Sequence, residues 1–185
     1  DQAVEEGQWR HSSIWPTTVV AGAITVGFLV TQPFGLFHYN SSGLILDRPA
    51  TQTSINFGDQ IALLGYDPQV ENVHPGDDLV LSLFWKALRP LEIDYQSFVH
   101  VYDESGALVA QADKLNPGQF PTRRWPLDQY VPDEFTLPLP TDLPPGTYRV
   151  AAGLWVQSEG WRLPVFDIAD RQIGDTATLF EFEVR

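Results

Sequence analysis

Pro75-Gly-Asp-Asp-Leu-Val-Leu-Ser-Leu-Phe-Trp85 is the stretch that decides the fold class. Pro-Gly-Asp is turn chemistry, and the residues after it alternate. Successive side chains of a strand point to opposite faces, so Leu79, Leu81, Leu83 and Trp85 share one apolar face. Working outward, Tyr95-Gln-Ser-Phe-Val-His-Val-Tyr102 reads as a second strand, and Asp103-Glu-Ser-Gly106 as a hairpin loop into Ala107 to Ala112. Ile55 to Tyr66 precedes them, with Gly58 and Gly65 as bulge or bend points. Val131 to Leu139 is a further strand, and Pro144-Pro-Gly146 turns into Thr147 to Val156. Gly160 closes a turn before Trp161, and Thr178 to Val184 ends the chain. Seven or eight strands, evenly spaced turns and no amphipathic helix predict an all-β domain, an antiparallel β-sandwich of Ig-like or jelly-roll-like form. The 15 prolines fit loops and edge strands.

Upstream the chain changes character. From His11 to Asp47 there is no Asp, Glu, Lys or Arg until Asp47 itself, and Thr17 to Thr31 is almost wholly apolar. A ~30 Å hydrocarbon core needs about 20 helical residues. Residues 14–37 satisfy that, with Pro16 in the tolerated first turn, Pro33 near the end, and Trp9, Trp15 and Tyr39 as interfacial flanks. The expected organisation is a tail over 1–13, one transmembrane helix over 14–37, a connector over 38–54 and an extracytoplasmic β-sandwich over 55–185. A buried core helix, a secretory signal peptide and a buried strand pair are the competing readings of 14–37. Glu5 and Glu6 ahead of it, and no small-residue cleavage site behind it, speak against the signal peptide. Ala23 and Gly27 form a small-xxx-small pair that admits a second transmembrane helix closely. Arg10 and His11 precede the segment and the next base is Arg48, which places the N-terminus in the cytoplasm and the sandwich on the periplasmic or cell-surface side of the cell membrane.

Composition removes several functions. The 185 residues contain no Cys, so disulfides, thiolate metal sites and cysteine nucleophiles are excluded. They contain no Met, even at position 1, which reads as a processed product or a piece of a longer chain. Of the formal net charge of −13, Asp1, Glu5, Glu6 and Arg10 account for two negative charges, and the rest lies in the sandwich region. Such a domain is repelled by nucleic acid and by anionic headgroups, and no nucleic-acid partner is expected.

Three stretches in order carry a resemblance: Asn56-Phe-Gly-Asp-Gln-Ile-Ala-Leu-Leu-Gly-Tyr66, Pro75 to Trp85, and Asp142-Leu-Pro-Pro-Gly-Thr-Tyr-Arg-Val150, with Phe98-Val-His-Val-Tyr102 and Phe120-Pro-Thr-Arg-Arg-Trp125 between them. Together they resemble the C-terminal extracytoplasmic β-sandwich of bacterial, Chloroflexus-like membrane glycosyltransferases of the dolichyl-phosphate-mannose protein mannosyltransferase type. The resemblance covers roughly residues 50–185. It implies the appended domain and not the transferase activity, because catalysis in that family belongs to a multi-span membrane region.

Chemistry-bearing residues are sparse. His100 sits mid-strand between Val99 and Val101, where a core-edge histidine is the reading taken over a general base. His38 and His74 flank turns without metal-ligand spacing. Asp77-Asp78 and Asp103-Glu104 lack the Asp-x-Asp-x-Asp run of a calcium loop and read as polar turns. Asp133 and Glu134 are adjacent on a strand, so they face opposite ways and cannot flank one glycosidic bond. No Gly-rich phosphate loop, serine elbow or zinc motif is present, so neither cofactor nor metal is expected and the chain is read as non-enzymatic. Phe120, Arg123, Arg124 and Trp125, with Tyr130 and Trp161, remain as candidate contacts. They suit a partner protein or a glycan of the cell envelope, since Trp and Arg anchor interfaces. The alternative is a long loop pinned to the sandwich by Trp125. The expected function is an accessory or interaction subunit that meets the integral membrane proteins of a larger complex. The alternatives are the C-terminal piece of a membrane glycosyltransferase and a carbohydrate-binding module.

Overall fold

The alternating run after Pro75 forms a strand whose Leu79, Leu81, Leu83 and Trp85 are all fully buried. The computed structural model describes residues 51–167 and 169–185. Ten strands form there: β1 Thr51–Phe57, β2 Ile61–Gln69, β3 Asp78–Ala87, β4 Gln96–Tyr102, β5 Leu108–Lys114, β6 Val131–Pro138, β7 Gly146–Trp155, β8 Val165–Phe166, β9 Gln172–Gly174 and β10 Ala177–Val184. They make two antiparallel sheets, ordered β6-β3-β2-β1-β8-β9 and β10-β7-β4-β5. The helical pieces among the described residues are two short 3-10 turns, Pro117–Gln119 and Thr122–Arg124. No helix among these residues is long and apolar enough to cross a membrane. The tail, the expected transmembrane helix over 14–37 with Ala23 and Gly27, and the connector as far as residue 50 lie outside the described residues.

The apolar face of β3 meets the inward residues of β4 and β7, Val99, Val101, Val150, Ala152 and Leu154, in one core. Each fully buried Leu or Val contributes ~1.5–3 kcal/mol relative to exposure. Phe57 closes this core edge-on against Trp85 at 5.4 Å. The two sheets are also tied by polar groups. Tyr66 of β2 donates its hydroxyl to the carbonyl of Leu179 in β10 at 2.6 Å. At another place Asp133 of β6 reaches Ser97 of β4 and Lys114 of β5.

Two readings of the sequence are corrected. The strands number ten rather than seven or eight, because β8 and β9 are too short to show periodicity and form only by pairing, β8 with β1 and β9 with β8. Ile55 to Tyr66 is a hairpin and not one strand. Gly58 and Asp59 both adopt positive φ, +59° and +54°, and Gln60 donates its N–H back to Phe57. Two consecutive left-handed residues make the tight turn whose twist suits antiparallel strands. Phe84, on the outward side of β3, is buried because Tyr130 returns across it edge-on at 5.7 Å. Gly65 stands at a register shift between β2 and β3, the bulge expected there.

Candidate functional site

Antiparallel pairing brings the β3–β4, β5–β6 and β7–β8 connections to the same end of the sandwich as the β1–β2 turn. Hydrogen bonds then fasten them to one another. Leu88 donates its N–H to the carbonyl of Gln60 at 2.8 Å. Tyr95 N–H reaches the Thr122 hydroxyl at 2.8 Å, and Gln157 N–H reaches Oε1 of Gln96 at 2.7 Å. Arg123 binds Asp94 three times, through its backbone N–H at 3.1 Å, Nε at 2.9 Å and Nη2 at 2.9 Å. Partial burial raises the Asp94 carboxyl, but the hydrogen bonds and charge of Arg123, helped by Arg124, outweigh it and hold the group below its ordinary value. Asp94 in turn pushes the Arg123 guanidinium upward.

The β7–β8 connection, which crosses from one sheet to the other, opens with a tight hairpin turn. Val156 donates to the carbonyl of Trp161 at 2.9 Å, and Gly160 donates to the carbonyl of Val156 at 2.7 Å. Gly160 has φ +74°, a left-handed conformation that a side chain resists. This turn presents Trp161, which is 39% exposed. Its indole Nε1 donates to Glu159 at 2.6 Å, and its ring meets Tyr95 edge-to-face at 6.2 Å. Trp161 lines a groove of about 560 Å³ with Gln60, Arg89, Glu92, Ile93 and Tyr95. A shallower hollow of about 310 Å³ adjoins it, sharing Glu92 and Ile93 and carrying Asp94, Arg123 and Gln157.

Of the residues singled out in the sequence, Trp161 and Arg123 thus reach neighbouring hollows. Arg124 is exposed on the 3-10 turn, and Phe120 is half-buried against the core. Trp125 is only 6% exposed and belongs to the core, so it is the pin that holds its loop to the sandwich. Tyr130 packs on Phe84 over the outer face of β3. Tyr95, Arg89, Glu92 and Gln60 were not legible as site residues. The pairing of β4 with β7, which sets Gln96 opposite Trp155, brings Tyr95 beside Trp161, and the Leu88–Gln60 bond holds the β1–β2 turn against the β3–β4 connection that carries Arg89 and Glu92.

The remaining candidates serve the scaffold. His100 stacks on Phe98 at 4.5 Å between ring centroids, and its Nδ1 lies 3.0 Å from the Tyr102 hydroxyl. Burial, then the nearby Arg162 charge, lowers its pKa against the opposing pull of Asp113. Asp103 closes the β4–β5 loop by accepting from Ser105 Oγ at 2.6 Å and Ala107 N–H at 2.8 Å. Asp77 accepts the N–H of His74 at 2.8 Å. Asp133 points inward and Glu134 outward, so they flank nothing together.

Fold and site define an acidic β-sandwich domain with a grooved loop cluster at one end. Among solved structures the chain is similar to the C-terminal domain of wzt, with TM-score 0.49 and 12% identity, covering 78% of this chain and 86% of that one. It is also similar to the CARDB domain of a Pyrococcus furiosus protein solved in complex with di-metal ions, with TM-score 0.38 and 15% identity, covering 64% of this chain and 87% of that one. No family model and no curated protein matches the chain.

Proposed function

We propose that this chain is a non-catalytic, membrane-anchored accessory or interaction subunit. Residues 14–37 hold it in the bilayer, and the extracytoplasmic sandwich meets integral membrane proteins of a larger complex. The observation that carries the reading is that two carboxylates at the grooved end, Asp94 and Glu159, are engaged within the fold. Asp94 is held by Arg123, and Glu159 holds the Trp161 indole. A general acid or base must be free to exchange a proton with a substrate. These two carboxylates instead tie the β3–β4 loop to the β5–β6 loop and fix the Trp161 indole within its own turn, which suits recognition, since preorganised surfaces lose less entropy on binding. Detergent extraction of native membranes followed by affinity capture of this chain tests the reading. Stoichiometric recovery of integral membrane proteins supports it, and recovery of a monomer without detergent overturns it.

The second reading, the appended domain of a membrane glycosyltransferase, is favoured by the order of the Asn56–Tyr66, Pro75–Trp85 and Asp142–Val150 stretches. Each of them forms a turn beside a strand of the sandwich. Intact-mass measurement of the native protein separates the two readings, because a much larger species supports the glycosyltransferase.

A further inference from the structure

The geometry points to the Trp161 groove as a binding site for a neutral glycan chain. This rests on the reading of the domain as a non-catalytic recognition module and names the chemistry that the module takes. Trp161 offers an exposed aromatic face, and that face is held in place. Glu159 fixes the indole Nε1, Tyr95 abuts the ring, and the Gly160 hairpin sets the backbone. The face of an aromatic ring is electron-rich, so it attracts the polarised C–H bonds on the flat side of a pyranose.

Gln60, Arg89 and Glu92 surround that platform. Among the described residues their side chains make no hydrogen bond or ion pair with one another or with the sandwich. A sugar hydroxyl both donates and accepts, and adjacent hydroxyls present both roles side by side. Arg89 supplies only donors, Glu92 only acceptors, and Gln60 one kind at each end of its amide. The three together meet that demand. The groove, about 560 Å³, falls within the ~300–1,000 Å³ typical of ligand sites. Its open form and the adjoining hollow suit several linked sugar units. Glu92 in the wall and the chain's net charge of −13 turn away polyanionic glycans.

Calorimetric titration tests this. The full chain, held in an amine-oxide detergent without a sugar headgroup, is titrated with hexasaccharides of glucose, mannose and N-acetylglucosamine, and with a polygalacturonate hexamer for comparison. At least one neutral hexasaccharide is expected to bind with Kd on the order of 1 mM or tighter. Trp161→Ala weakens that binding at least tenfold, Trp161→Phe restores part of it, and Arg89→Ala weakens it severalfold. Near-UV circular dichroism confirms that each variant keeps its packed core. Three results overturn the inference: Kd above about 10 mM for all three neutral sugars, unchanged affinity in folded Trp161→Ala, or preference for the polygalacturonate. Loss of sugar binding alongside intact recovery of membrane partners removes this inference alone. Recovery as a detergent-free monomer that still binds sugar removes only the membrane-subunit reading.

Discussion

Asp133→Ala should loosen the sandwich at the edge where β6 faces β4 and β5. The carboxylate is 1% exposed. It accepts from Ser97 Oγ at 2.8 Å, Lys114 Nζ at 2.9 Å and Gly118 N–H at 3.1 Å. The alanine leaves the fully buried Ser97 hydroxyl and the Gly118 N–H without their acceptor, at about 1 kcal/mol each. Lys114 loses its ion partner, but its side chain is 32% exposed and regains water, so this loss adds only about 1 kcal/mol. Lys114 also keeps its place over the Phe135 ring at 4.7 Å. The sum, about 3 kcal/mol, lies at the lower end of what breaking a buried ion pair costs. For a domain of this size it corresponds to a fall in Tm of roughly 12 °C. Thermal unfolding followed by near-UV circular dichroism reads it, with Ser97→Ala as a partial deletion expected to cost ~1 kcal/mol. The double variant should be less destabilised than the two single variants added together, because both remove the same bond. A Tm for Asp133→Ala within ~2 °C of wild type would refute the idea that this network clamps the two sheets.

Three further outcomes are expected. Trp125→Ala should lose about 3–5 kcal/mol as a core deletion, whereas Trp161→Ala, at the exposed rim, should lose about 1 kcal/mol; chemical unfolding in urea compares them. Gly153→Ala places a methyl group against the ring of Phe98 and should cost ~1–3 kcal/mol, part of which Phe98→Leu recovers on the same urea curves. Because burial and Arg162 lower the His100 pKa, the unfolded chain binds more protons than the native one below the unfolded value of 6.5. The His100 contribution is therefore complete above that pH and lost as pH falls from 6.5 toward the folded value. Melting curves taken between pH 7.5 and pH 5 should show this decline, and His100→Gln should flatten it.

The strands that could be read from sequence are those long enough to alternate. Leu79 to Trp85 and Val131 to Leu139 announce their buried faces because a pleated strand repeats every two residues. Val165–Phe166 and Gln172–Gly174 carry no such signal, since two or three residues cannot define a period. Turn chemistry was legible in kind, but the hairpin at Gly58-Asp59 was not, because Asp59 takes a positive φ that a sequence assigns more readily to glycine or asparagine. For the candidate site, Trp161 and Arg123 stood out by residue type. The side chains that give Trp161 a use lie far from it along the chain.

By itself, then, the sequence determined an acidic, cysteine-free, all-β domain and the inward face of its long strands. Those properties follow from local periodicity, turn residues and net charge, which neighbours along the chain suffice to express. Only the tertiary structure decided that Trp125 belongs to the core while Trp161 stays at the rim. It also decided that Gln60, Arg89, Glu92 and Tyr95 gather around Trp161, and that Asp133 joins the two sheets. The burial of a loop residue depends on where the chain returns. Here the β4–β7 pairing and the Asp94–Arg123 and Tyr95–Thr122 bonds set that return, and each of them joins residues distant in sequence.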